Sequence, residues 1–209
     1  MLRLLSASLV SASLAAAVTI SSIAPAQAQS RQEILRNISK HFSAVPTMTG
    51  RFVQFGPRGR QTQGKFWLKR PGKIRFDYSK PATLTVKANG RTVSVYNSKL
   101  KTRDYLPLSK TPLKLLLARK ISPNNRAIKS VKAANGIATV VLADRRMFGA
   151  SKITLMFDAK TYDLRQWTIR DKQGRDTSVI ISNVKKNVGI PNKLFRIQKR
   201  SEQQNASDR

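Results

Sequence analysis

The sequence predicts a mainly β protein in which about ten or eleven antiparallel strands form one sheet that curls into a barrel or half-barrel. Two observations predict this class. Apolar and polar residues alternate with a period of two over most of the chain after Thr47, which is typical of strands with one buried face. The links between these runs are too short for crossover helices, so neighbouring strands pair antiparallel. A sheet with this many strands tends to curl.

The first 28 residues have the features of a cleaved secretory signal. Arg3 precedes a mostly apolar run, and Ala26-Gln27-Ala28 has the small-residue pattern of a cleavage site. A membrane anchor is the alternative, but serines and threonines interrupt the run, which favours the signal. We therefore expect residues 1–28 to be removed, residues 29–198 to form a single domain outside the cytoplasm, and the polar residues 199–209 to be a disordered tail.

A short amphipathic helix opens the predicted domain. Ser30 and Glu33 have the spacing of a capping box, and Pro46 prevents the helix from continuing into the next segment. Apolar residues recur at helical spacing between these two limits and predict one apolar stripe, which consists of Ile34, Leu35, Ile38 and Phe42.

Two groups of strands follow, with a second helix between them. Asn89-Gly90 and Asn135-Gly136 are strong hairpin signals, one in each group. Thr111-Pro112 predicts the start of the second helix, with threonine as the cap and proline at the first helical position, and Pro123 ends it. Its apolar side is Leu113, Leu116 and Leu117. The strand runs are "TGRFVQFG", "QGKFWLKR", "KIRFDYS", "ATLTVKA" and "RTVSVYNS", then "AIKSVKAA", "IATVVLA", "SKITLMFDA", "YDLRQWTIRD" and "TSVIISNV".

The composition excludes several kinds of chemistry. There is no cysteine, so disulfides, thiol catalysis and a lipid-bearing cysteine are excluded. His41 is the only histidine and the ten carboxylates are scattered, many of them beside turns, so neither a catalytic triad nor a metal site is expected. No glycine-rich phosphate loop is present. We therefore expect a binding protein that is not an enzyme and needs no cofactor.

The charge of +30, from 40 basic and ten acidic residues, favours an anionic partner. Nucleic acid is one candidate, because Trp67 between Lys65 and Lys69 resembles a base-stacking site, but the secretory signal makes it the weakest one. A polyanion or acidic protein held by the exterior is a second candidate. The third is a lipid inside the barrel, favoured by apolar strand faces. An ordinary filled core is the plainer explanation of these faces, which carry Phe66, Leu68, Ile153, Leu155, Phe157, Trp167 and Ile169.

Arg70 breaks the pattern of its strand, because counting by twos from Phe66 places its guanidinium on the apolar side. The plain interpretation is that the side chain extends from the strand end beside Pro71 to reach water.

The sequence resembles the LolA family of periplasmic outer-membrane lipoprotein carriers over nearly all of the predicted domain. The segments that carry the resemblance are "FVQF", "GKFWLKRPGKIRFDY", "PATLTVKANGRTVSVYN" and "TPLKLLLA". The resemblance implies an unclosed antiparallel β-barrel whose apolar cavity is covered by a helical lid. It also implies a soluble periplasmic carrier that takes acylated lipoproteins from an inner-membrane ABC-type releasing complex and delivers them to an outer-membrane lipoprotein receptor.

The resemblance further implies roles for individual residues. Arg70 matches the family arginine that hydrogen-bonds the lid backbone in the empty state, and we expect those bonds to break when acyl chains enter. Ile74 stands where many members have phenylalanine, and Phe76 stands where many have tryptophan. The strand faces named above form the cavity. The helix stripes form the underside of the lid, namely Ile34, Ile38 and Phe42 with Leu113, Leu116 and Leu117.

The predicted function is therefore transport of acylated lipoproteins by a monomer that does not bind nucleic acid. A carrier of another envelope lipid, or a sensor of mislocalised lipoproteins with the same fold, is the alternative. An exported polyanion-binding protein is a further one.

Overall fold

A computed structural model describes residues 30–198, so the predicted signal and the predicted tail lie outside the described residues. Within this range the chain forms eleven strands, and the predicted mainly β class is confirmed. The strands are β1 (Thr47–Phe55), β2 (Gln61–Lys69), β3 (Lys73–Tyr78), β4 (Leu84–Asn89), β5 (Thr92–Asn97), β6 (Thr102–Pro107), β7 (Ile128–Ala134), β8 (Ile137–Ala143), β9 (Lys152–Asp158), β10 (Leu164–Arg170) and β11 (Asp176–Lys186).

All eleven strands belong to one antiparallel sheet in the order β6-β5-β4-β3-β2-β1-β11-β10-β9-β8-β7. The first and last strands of the chain are neighbours at the centre of the sheet, where Phe52 pairs with Ile181. The two edge strands, β6 and β7, do not pair with each other. The sheet is therefore unclosed, as the resemblance implies.

Ring contacts across the interior show how strongly the sheet curves. Phe76 on β3 and Trp167 on β10 have ring centroids 6.0 Å apart. Four strand spacings separate these strands along the sheet, which would be roughly 19 Å on a flat surface. The sheet therefore bends around a common interior.

The first helix, α1 (Arg31–Ala44), begins where the sequence predicts. The backbone N–H of Glu33 donates to the hydroxyl of Ser30 at 3.2 Å, which satisfies one of the free donors of the first turn. The four residues of the predicted stripe are all buried, so α1 packs its apolar side into the interior of the sheet.

The remaining helices differ from the prediction. The second, α2 (Leu113–Leu116), is a single turn that follows Pro112 without a side-chain cap, because the hydroxyl of Thr111 donates instead to the carbonyl of Leu108 at 2.9 Å. A third short helix, α3 (Arg145–Phe148), was not predicted, because one turn is too short to show a helical period. The strand β6 was also missing from the predicted runs.

The Asn-Gly pairs make hairpin turns as predicted. Asn135 and Gly136 have φ angles of 50° and 75°, the left-handed pair that a tight two-residue hairpin requires. At the other hairpin, the side-chain oxygen of Asn89 accepts from the backbone N–H groups of Arg91 and Thr92. Local turn chemistry therefore fixes the register on both sides of the sheet.

The end of the described chain, residues 190–198, crosses the outer face of the first half of the sheet, and we name it the C-terminal strap. Phe195, at its centre, is buried. Side chains of β2, β3, β4 and β6 reach its atoms in succession, so the strap crosses these strands instead of pairing with one. The reaching residues are Lys69, Lys73, Arg75, Lys87, Arg103 and Tyr105.

Candidate functional site

The inner face of the sheet carries the strand residues that the sequence predicts to meet lipid. Eight of the nine are buried and Ile169 is partly buried, and four of the eight have no exposed surface: Ile74, Ile153, Leu155 and Phe157. They form one contiguous cluster with the buried side of the helices. The other four are Phe66, Leu68, Phe76 and Trp167.

An aromatic cluster lies at the centre of this face and includes a residue that the sequence prediction missed. The ring of Phe52 lies 4.9 Å from that of Phe76 and 5.0 Å from that of Tyr78, both edge to face. Phe76 also contacts Phe66 at 6.2 Å. The alternation within "FVQF" already marks Phe52 as inward, so the signal was present in the sequence.

Tyr78 lies at the edge of the aromatic cluster, and its hydroxyl makes a hydrogen bond there. Its hydroxyl donates to the side-chain oxygen of Gln54 at 2.7 Å. Burial raises the pKa of Tyr78 to about 12, so the phenol stays neutral and remains a donor. The cluster is therefore apolar within the interior and becomes polar at this edge.

The helices cover the opposite side of the interior. Five of the six helix residues predicted to form the underside of the lid are buried, and Leu113 is partly buried against the same cluster. The ring of Phe42 on α1 lies 5.8 Å from that of Phe157 on β9, edge to face. The five buried residues are Ile34, Ile38, Phe42, Leu116 and Leu117.

Arg70 lies inside the protein, as the alternation of its strand indicates. Only 7 % of its surface is exposed, so the guanidinium does not extend to water. Its Nη1 donates to the carbonyl oxygen of Val45, the residue that caps the C-terminal end of α1, at 2.7 Å. The guanidinium carbon lies 4.0 Å from the centre of the Phe42 ring. The side chain therefore contacts α1 and its cap in two ways.

The buried environment of this guanidinium disfavours its charged form. Burial lowers the pKa of Arg70 to about 10, so it is still protonated at neutral pH. Among the described residues, its Nε and Nη2 have no hydrogen-bond acceptor. A buried cation with unused donors stabilises the closed arrangement less than a fully bonded one would.

The turn that contains Arg70 also contacts the second helix. The backbone N–H of Gly72 donates to the carbonyl of Leu117, at the end of α2, at 2.9 Å. Gly72 has a φ of +78°, and a Cβ at this position would lie 2.8 Å from the Cα of Gly90. One tight turn between β2 and β3 therefore holds the ends of both helices.

A second set of contacts fixes α1 to the opposite half of the sheet. Nε2 of His41 lies 3.1 Å from a carboxylate oxygen of Asp163, which also accepts from Lys186 at 2.8 Å. The side-chain amide of Asn37 donates to the hydroxyl of Tyr162 at 3.0 Å. Burial lowers the pKa of His41 and outweighs the opposing effect of Asp163. The histidine is thus held near the neutral form.

A cavity of about 240 Å³ opens beside His41 and Asp163 and reaches Met48, Leu164 and Ile181 of the buried cluster, but none of the predicted site residues lines it. The predicted residues instead pack against one another, and most of them have almost no exposed surface. The apolar space that the resemblance implies is therefore filled by side chains of the sheet and helices in this arrangement, and a ligand must separate them to enter.

Within residues 30–198, no group of three or more His, Asp or Glu side chains is placed to hold a metal ion. In the same range no helix is both long enough and apolar enough to cross a membrane.

Comparison with known proteins agrees with this geometry. Curated outer-membrane lipoprotein carrier proteins are similar to the chain. That of Methylobacillus flagellatus is 26 % identical over 79 % of this chain and 85 % of its own length. That of Azotobacter vinelandii is 29 % identical over 80 % and 84 %. The crystal structure of a DUF1329 family protein from Desulfovibrio piger shares the fold, with a TM-score of 0.50 and 10 % identity over 79 % of this chain and 95 % of that one.

A family model described as outer membrane lipoprotein carrier protein LolA matches residues 43–198, which include every strand of the sheet, α2 and Arg70. The match covers most of the chain, so the chain belongs to the LolA family.

Proposed function

We propose that this protein is a periplasmic carrier. It shelters the acyl chains of lipoproteins while they cross the periplasm from the inner membrane to the outer membrane. The observation that supports it is the unclosed sheet with a continuous apolar inner face, covered by two helices whose ends are held by one turn. Membership of the family of outer membrane lipoprotein carriers supports the same function. The family is a class of carriers and not of enzymes.

The hydrophobic effect explains why such a carrier is needed. Moving an acyl chain from water into an apolar site gains about 0.8 kcal/mol per methylene, so a sixteen-carbon chain carries roughly 12 kcal/mol. A lipoprotein with several such chains leaves a membrane very slowly without shelter. The interior of the sheet offers the shelter, because its inner face is apolar from β2 across to β9.

The filled interior explains how the cargo stays transferable. Acyl chains must displace the contacts of α1 and α2 with the sheet before they can occupy the same space. The free energy lost from those contacts reduces the net affinity for cargo, as linkage between two states requires. The carrier therefore binds acyl chains more weakly than an empty cavity of the same area would.

Arg70 is the residue that we assign to control the lid. Its bonds to the cap of α1 exist only while the helix lies on the sheet, so opening breaks them. The unbonded Nε and Nη2 keep this cost moderate. Arg70 thus favours closure and release without preventing entry. The remaining predicted residues, including Ile74 in place of the family aromatic, line the path that the chains would take.

The route of the cargo completes the proposal. The signal predicted at residues 1–28 would export the chain to the periplasm. An inner-membrane ABC-type complex would load the carrier, and an outer-membrane lipoprotein receptor would unload it. We expect a monomer at every stage.

Fluorescence quenching tests where the acyl chains bind. The chain has two tryptophans, and Trp167 lies in the aromatic cluster whereas Trp67 alternates to the outer face, where Arg75 lies 5.7 Å from its ring. In Trp67→Phe protein, a synthetic triacylated peptide with brominated chains should quench the remaining Trp167. In Trp167→Phe protein, the same peptide should leave Trp67 nearly unchanged. Equal quenching of both tryptophans, or of neither, would overturn binding in the interior.

Mass spectrometry of material that co-purifies from the periplasm separates this function from its alternative. Acylated lipoproteins are expected. Free phospholipid alone would instead indicate a carrier of another envelope lipid.

A further inference from the structure

Four basic side chains and the carboxylate of Asp144 line a cavity of about 510 Å³ that the proposed transport does not use. Arg126 and Lys129 contribute from the start of β7, and Arg145 and Arg146 contribute from α3. All four are exposed. We name this feature the basic pocket.

The basic pocket keeps a net positive charge, because its four cations share the lining with the one carboxylate of Asp144. Lys129 donates to the backbone carbonyl of Arg126 at 3.3 Å, which holds its ammonium at the rim. Three of the four cations are arginines, whose planar donor fork binds phosphate with two parallel hydrogen bonds.

The basic pocket lies at the unclosed side of the sheet. Its β7 is an edge strand, and α3 contacts the turn at Leu108–Lys110 that connects β6 to α2. Phe148 of α3 is buried, so this helix packs against the body of the protein. The cations are thus placed beside the helices that cover the interior, where acyl chains would enter or leave.

We propose that the basic pocket binds the phosphate of an anionic phospholipid headgroup and seats the open side of the protein on a bilayer surface. The pocket has room for a phosphate with its glycerol, and a bilayer presents such groups at every position. An acidic protein segment fits the charge as well, but an extended segment would need the edge of β7, against which α1 already packs. The structure therefore favours a compact headgroup over an added strand.

The purpose of this contact rests on the proposed carrier function, but the binding is measured without any cargo. Each basic residue close to an anionic surface strengthens binding about fivefold, so the loss of two should weaken it about 25-fold. Salt should weaken binding further, because the interaction is electrostatic.

The experiment is co-sedimentation of the purified protein with vesicles of phosphatidylethanolamine and phosphatidylglycerol, compared with vesicles of phosphatidylcholine. The test variant is Arg145→Gln with Arg146→Gln. The matched control is Arg51→Gln with Arg91→Gln, which removes the same charge from two exposed positions outside the pocket. Circular dichroism melting checks that both variants fold.

Binding to the anionic vesicles that falls about 25-fold in the test variant, and much less in the control, supports the proposal. Equal losses in both variants would show a general effect of the +30 charge and overturn it. Binding to soluble poly-glutamate but not to the vesicles would also overturn it, in favour of an acidic protein partner. A negative result with the vesicles would not change the expected quenching of Trp167 by acyl chains. The vesicle experiment therefore tests the basic pocket, and the quenching experiment tests the carrier function, independently of each other.

Discussion

The guanidinium of Arg70 stacks on the ring of Phe42, with 4.0 Å between its central carbon and the ring centre. A cation at the end of β2 is therefore in direct contact with an apolar residue of α1, inside the protein. Neither residue can keep this contact if α1 moves away from the sheet. The pair thus reports directly on whether the helix is closed.

Replacing Arg70 with leucine should make cargo harder to release. The bond to Val45 is charge-assisted and contributes about 1.5–3 kcal/mol to closure, so its loss should tighten cargo binding by roughly tenfold or more. The free energy of unfolding should change little, because the buried and unbonded Nε and Nη2 are removed as well. Transfer of a bound lipoprotein to the receptor measures the release.

The exposed Arg51→Leu on the neighbouring β1 is the control for that variant. Release from Arg70→Leu protein at the unmodified rate would show that Arg70 does not control the lid.

Replacing Phe52 with alanine should cost about 3–5 kcal/mol of unfolding free energy, as for other large buried aromatics. Its ring contacts Phe76 and Tyr78 and is 1 % exposed. Phe55 lies on the same strand but is 37 % exposed, so Phe55→Ala should cost far less. Urea denaturation of both variants gives the comparison, and similar costs would argue against Phe52 as the centre of the cluster.

Replacing Gly72 with alanine should destabilise the protein and loosen α2. A φ of +78° alone costs an alanine about 1–2 kcal/mol. Gly136 has nearly the same φ of +75° but open space around it, so Gly136→Ala measures that cost separately. A larger loss for Gly72 in thermal unfolding is expected from the close approach of Gly90, and equal losses would contradict it.

Acidification should destabilise the protein through His41. Its pKa in the folded protein lies below the ordinary value of 6.5, so the unfolded chain binds more protons when the pH falls through that region. The free energy of unfolding should therefore decrease as the pH falls below about 6.5. Lys186 and Arg70 also act on this histidine and oppose its protonation, whereas Asp163 favours it.

The pKa of Asp163 is also lowered, and its contribution is lost only in a separate, more acidic range below its ordinary 3.8. Denaturation of the unmodified protein and of His41→Gln protein at pH 7.5 and pH 5.5 separates the two groups. The variant should lose the slope between these pH values, and an unchanged slope would assign it elsewhere. His41 is the only histidine in the chain, which makes the attribution clean.

The sequence predicted the sheet well because its signals are local. Period-two alternation identified ten of the strands, and the same count from Phe66 placed Arg70 inward. Apart from the short α3 and the strand β6, the features that it missed depend on distant contacts. The C-terminal strap has no period of its own and is fixed by side chains of other strands, such as Lys87, whose ammonium reaches the carbonyl of Arg196.

The close packing of the interior could not be predicted from the local sequence pattern either. Alternation shows that Ile74 and Leu155 face inward, but not whether space remains between them and the helices. That depends on how far α1 approaches the sheet, which is set by contacts such as those of Arg70 and His41. The residues of the candidate site were therefore predictable, and the volume between them was not.

The pairing of β1 with β11 has a consequence for how the chain folds. During synthesis or export the amino-terminal half can form its meander from β1 to β6 as it emerges, since each strand meets its neighbour at once. The other side of β1 must wait until residues 176–186 arrive, because only β11 pairs there. A half-made sheet with a bare central edge is thus a necessary stage, and a chain truncated before β11 would present that edge to aggregation.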